Sequence, residues 1–198
     1  MLRFCALLTL LISGSALRGA DIYSTYDLLA PSTHAFDIID DISTDREGAA
    51  YLFSPIRKSS TSSKERAIDQ FTGKPLDLDK VDAAAARASG LVPGRIPDDQ
   101  KFIRVKFAQS VPKNGEERTR IYKTFTDPAS YNEKDDTLIF ERQTTVKRSI
   151  VILPTGYELI RSEAPAIVST DADGRIRISF LNDRDDQLLL KIIGRRRK

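Results

Sequence analysis

The chain has 198 residues, a length that holds one domain with a real core, and it carries 31 Lys and Arg against 28 Asp and Glu for a formal charge of +3. Residues 1–20 contain Arg3 and Arg18 and no acid, and the chain ends Arg195-Arg196-Arg197-Lys198; without both ends 25 basic residues face 28 acidic ones, so no polyanion-binding face and no nucleic-acid partner is expected. One cysteine, Cys5, and one histidine, His34, exclude a disulfide framework, and they argue against a zinc or copper site.

Residues 1–20 read as a signal peptide. Met1-Leu2-Arg3 is a basic start, Phe4 to Ile12 is apolar, and Ser13-Gly14-Ser15-Ala16 supplies small residues for cleavage. The apolar run is too short to span a bilayer, which takes about 20 apolar residues. No second such run follows, so export to the periplasm or beyond the cell is expected, with no transmembrane segment after cleavage. Residues 21–194 are then the folded domain and 195–198 a solvated basic tail.

Asp21 to Ser32 reads as a loose arm or a first edge strand. His34 to Ile42 alternates as a strand, Asp45-Arg46-Glu47-Gly48 is a polar turn, and Ala49 to Ile56 is a second strand stopped by Pro55; the two predict an opening hairpin. Ser59 to Lys64 (SSTSSK) reads as a mobile polar loop. Asp79 to Ser89 predicts the one helix: an alanine run with Asp79 as cap, Asp82 in the first turn, and Gly90 closing it. Lys101 to Phe107 alternates, and Asn114-Gly115 predicts a hairpin returning through Arg118 to Phe125. Further strands are expected at 137–141, 149–153, 157–161, 167–170, 175–181 and 188–193. Asp171-Ala172-Asp173-Gly174 predicts a tight hairpin before the strand in which Ile176, Ile178 and Phe180 share a face. Short strands punctuated by Gly, Pro, Asn and Asp, with one short helix, predict a mainly β fold: an antiparallel Ig-like sandwich or a partly open barrel.

No catalytic signature stands out, and no catalytic residue, metal ligand or cofactor is assigned. His34 lacks an identifiable nucleophile or orienting acid. Asp171-Ala172-Asp173-Gly174 resembles the start of a calcium loop but lacks its later ligands, and Asn182-Asp183-Arg184-Asp185-Asp186 belongs at the opposite end of the strand. Glu133, Asp135, Asp136, Glu141 and Glu158 raise the question of paired carboxylates for glycan or peptide hydrolysis, which needs a defined separation across a cleft. Ser110-Val111-Pro112-Lys113 matches a Ser-x-x-Lys pattern but lies in a turn, not on a helix. Tyr122, Phe125, Tyr131, Phe140 and Tyr157 read as core and rim aromatics, or as a stacking surface for sugars or peptides.

At YKTFTDPASY (Tyr122 to Tyr131), LPTGYEL (Leu153 to Leu159) and the following DGRIRISFLND, the chain resembles exported β domains of uncharacterised bacterial proteins. The resemblance covers about the last two-thirds and implies a fold and an export route, with no site residues. The expected role is a non-catalytic binding module for protein, peptide or glycan, the alternatives being a secreted hydrolase that acts on glycans or peptides through paired carboxylates and a calcium-stabilised β module.

Overall fold

Inward-facing apolar residues on alternating strands build the molecule, a computed structural model that describes residues 21–184 and 186–197. Residues 1–20, read from the sequence as a signal peptide, lie outside the described residues. In chain order the strands are β1 (Asp21–Leu28), β2 (Ala35–Thr44), β3 (Tyr51–Ile56), β4 (Thr61–Asp69), β5 (Pro75–Leu76), β6 (Leu78–Asp82) and β7 (Lys101–Lys106). There follow β8 (Glu117–Thr126), β9 (Tyr131–Lys134), β10 (Thr137–Thr144), β11 (Arg148–Ile152), β12 (Tyr157–Ser162), β13 (Ile167–Thr170), β14 (Ile176–Leu181) and β15 (Leu188–Arg196). Among the described residues the single α-helix, α1, is Ala83–Ser89.

The described residues form three open sheets, none of which closes into a barrel. The large one has eight strands in the order β13-β14-β11-β1-β2-β8-β4-β5; the second is β12-β15-β10-β9, and the third β3-β7-β6. The mainly β class with one short helix therefore holds. Pairing is antiparallel throughout except between β1 and β11, which run parallel, Tyr26 beside Val151.

Period-two alternation sets which side is buried. On the large sheet Tyr26, Leu28, Phe36, Ile38, Ile121, Phe125, Val151 and Ile178 face inward. Leu138 and Phe140 from β10, Leu190 and Ile192 from β15, and Ile103 and Val105 from β7 meet them in one core. Phe36 is its centre, with ring centroids of Phe140, Tyr26, Phe125 and Tyr131 at 5.3, 6.2, 6.3 and 6.3 Å. A satellite cluster of Ala83, Ala86, Ile96 and Phe102 seats α1 on the third sheet.

Several local expectations change. β1 is central, between β11 and β2, because Ser24, Tyr26 and Leu28 form an inward row that the polar serine masks in the sequence. The opening hairpin does not form: β2 pairs with β1 and β8, whereas β3 pairs with β7 in another sheet. Pro55 sits inside β3, which tolerates it as an edge strand. Asn114 adopts the left-handed φ of 57° expected of it, yet the turn leads from β7 in one sheet to β8 in another.

The serine-rich loop is largely strand β4. Its lead-in is tied down by Ser59 and Ser60, whose hydroxyls donate to the buried Asp127 carboxylate at 3.1 and 2.9 Å. Burial pushes that carboxyl upward, but hydrogen bonds from Ser130, Ser60 and Ser59 outweigh it and hold the group below the usual range. The helix starts later than predicted. Asp82 is the cap, accepting from Ala85 N at 3.0 Å, while Asp79 lies in β6 and takes a two-pronged contact from Arg104. The hairpin at Gly174 (φ 82°) joins β13 to β14 as expected.

Candidate functional site at the junction of the three sheets

The inward rows carry charges as well as hydrocarbon. On β2 the series Phe36, Ile38, Asp40, Ile42 includes an acid, and on β8 the series Ile121, Lys123, Phe125 includes an amine. Lys123 Nζ lies 2.6 Å from Asp40 Oδ2 and donates to Ser54 Oγ of β3 at 2.7 Å. Ser24 of β1 donates to the other Asp40 oxygen at 2.6 Å. The side chains of Lys123 and Asp40 are 4% and 9% exposed, so this pair sits in low dielectric.

Arg142 of β10 completes the layer from the second sheet. Its guanidinium carbon lies 5.5 Å from the Tyr26 ring centroid, 5.6 Å from Phe36 and 5.5 Å from Phe125. Burial pushes the Tyr26 hydroxyl up; Arg142 opposes this by charge and, with Ser24, by hydrogen bonding. Among the described residues Arg142 has no carboxylate partner, and its buried Nη1 finds no acceptor. Ser149 Oγ, buried directly across the β1–β11 ladder from Ser24, finds none either.

The outer face of the large sheet carries two adjoining hollows that share Tyr23 and Arg148. One, of about 170 Å³, is polar, lined by Asp21, Asp41, Gln70 and Arg118. The other, of about 420 Å³, is mostly apolar, lined by Ile150, Pro165, Ile167 and Leu181. Beside it runs β13, the end strand of the sheet, with Ile167 and Val168 76% and 51% exposed.

The residues singled out in the sequence lie apart from the junction layer, except where aromatics join the core. His34 takes φ 53° and points Nδ1 at the Tyr131 carbonyl, 3.0 Å away. Asp171 and Asp173 are held by Arg177 and Arg175. Asn182 orders its own loop by donating to the Asp186 carbonyl. Glu141, Glu158 and Asp136 pair with Lys191, Arg195 and Arg196. Ser110 and Lys113 lie in loop. Phe125, Tyr131, Phe140 and Tyr157 belong to the core, while Tyr122 is capped by Arg66, 3.3 Å from its ring centre. Among the described residues no group of three or more His, Cys, Asp or Glu is arranged to hold a metal.

Arg195 and Arg196, expected in a solvated tail, are the last residues of β15. Arg196 reaches both Glu133 oxygens at 3.0 and 3.1 Å, and Tyr157 donates its hydroxyl to the same carboxylate. Burial and that hydrogen bond push the Tyr157 phenol up to about 12. The neutral phenol is the favoured folded form. Its contribution to stability is complete below about pH 10, the unperturbed value, and is lost as pH rises through about 12. Phenolate absorbance is expected to show a step near pH 12 that Tyr157→Phe removes; an ordinary titration near 10 for this residue would refute the arrangement.

No helix among the described residues is long and apolar enough to cross a membrane. No family model matches the chain, and no curated protein does. Among solved structures, the M1 zinc metallopeptidase of Deinococcus radiodurans is similar with a TM-score of 0.52 and 10% identity over 89% of this chain and 42% of that chain. A mutant of that enzyme bound to a Tyr-Ser-Ala substrate gives 0.51 and 11%, over 89% and 43%. A two-domain M1 zinc metallopeptidase mutant bound to L-tryptophan gives 0.51, 11%, 89% and 43%. The chain thus spans less than half the length of these proteins, and at such identity the likeness concerns the fold alone.

Proposed function

We propose that the chain is an exported, non-catalytic binding module that engages an extended segment of another protein along β13. The observation that carries this reading is an apolar end strand open to solvent. The Asp171 N–H donates to the Arg175 carbonyl, so antiparallel alternation turns the Ile167 and Ser169 backbone groups toward β14 as well. The N–H and C=O of Val168 and Thr170 therefore point away from the sheet. The opposite end strand, β5, has only two residues, one of them Pro75, and offers no comparable template. A strand laid on β13 would gain main-chain hydrogen bonds and cover Ile167 and Val168. The likeness to part of a two-domain M1 zinc metallopeptidase concerns the fold alone. It assigns no peptidase chemistry to these residues.

Val168→Pro removes an outward N–H without touching the β13–β14 bonds. Peptides selected from a displayed library against the protein are expected to lose about tenfold in affinity for this variant, with the thermal midpoint unchanged. Selected peptides indifferent to Val168→Pro, or hydrolysis of peptide or glycan substrates by the purified protein, would overturn the reading.

A further inference from the structure

We propose that Arg142 and Ser149 form a binding site for one small anion, a halide or a carboxylate group, at the junction of the three sheets. The charge count points there. Lys123 and Arg142 bring two cations into the layer, and among the described residues Asp40 is the single carboxylate there, already engaged by Lys123 and Ser24. The layer thus holds an excess of one positive charge. Arg142 has no acidic partner among the described residues, and two buried donors, Arg142 Nη1 and the Ser149 hydroxyl, have no protein acceptor. Water would answer the hydrogen bonds but not the charge; an anion answers both. The half-buried Arg142 side chain reaches from the surface inward, with three aromatic rings fixing its guanidinium plane. This site is distinct from the β13 edge, and neither proposal depends on the other.

The test is thermal unfolding of the purified protein in low-salt buffer, titrated separately with sodium chloride and sodium acetate. Once the site is half occupied, each further tenfold rise in anion is expected to lift the midpoint by about 3–5 °C. Arg142→Met, an apolar chain of similar reach, should fold and lose this response, and Ser149→Ala should weaken the apparent affinity at least about threefold. A response to both salts identifies a site that takes any small anion; a response to acetate alone identifies a carboxylate site. Crystals soaked in sodium bromide should show anomalous scattering within hydrogen-bond reach of Arg142 Nη1 when chloride is effective. An identical salt response in Arg142→Met, or an unchanged affinity in Ser149→Ala, would overturn the site.

Discussion

Asp40→Asn is expected to destabilise the protein by roughly 3–5 kcal/mol, the cost of leaving a buried charge without its partner. The substitution barely changes shape, so cavity formation contributes little. What changes is that Lys123, 4% exposed, loses its carboxylate partner in low dielectric and keeps only Ser54 and an amide. Arg142 stands in the same layer, which would then hold two cations and no carboxylate among the described residues. Lys123→Met in the Asp40→Asn background removes one of them and should recover a large part of the loss. The double variant is expected to be more stable than Asp40→Asn alone, with a coupling of about 1–3 kcal/mol in a double-mutant cycle. Urea unfolding at constant m-value measures all four proteins. Additive losses in the cycle would show that Asp40 and Lys123 do not act as a pair.

This layer was legible in the sequence only in part. The row Phe36, Ile38, Asp40, Ile42 and the row Ile121, Lys123, Phe125 each place one charge at an inward position of an apolar alternation, as does Arg142 after Leu138 and Phe140. A charge in that register signals burial with a partner, but alternation within one strand says nothing of which distant strand supplies it. The Asp40–Lys123 contact spans 83 residues of chain. The Gly174 hairpin and the Gly90 helix stop were readable because each is decided within a few residues by left-handed backbone. Strand β4 was not, because Ser62, Ser63 and Lys64 lack an apolar face and form a strand only by pairing with β8 through a bulge, where Lys64 takes φ 55°. The same limit explains the Asn114-Gly115 turn. Local chemistry fixed its bend, while the division of β7 and β8 between two sheets was decided by distant partners.

Phe36→Ala is expected to cost about 3–5 kcal/mol, because it removes the ring at the middle of the core rather than one at its rim. Phe36 is fully buried and stands among four other aromatic rings, with Phe140 edge-on at 5.3 Å. Those rings come from β1, β8, β9 and β10, so the ring's loss loosens the large sheet from the second one as well as opening a void. The neighbours cannot collapse far into the space, since Tyr131 is held by its hydroxyl to the Leu29 carbonyl at 2.6 Å and Phe125 is fixed in the β2–β8 ladder opposite residue 36. Phe36→Leu keeps most of the volume and should cost less than half as much. Truncating Phe53 in the same way, on the rim of the helix-bearing satellite cluster and only partly buried, should cost markedly less than Phe36→Ala. Denaturant midpoints of the three variants order these losses. Near-equal costs for Phe36→Ala and Phe53→Ala would mean that the stability of the molecule is not centred where the two large sheets meet.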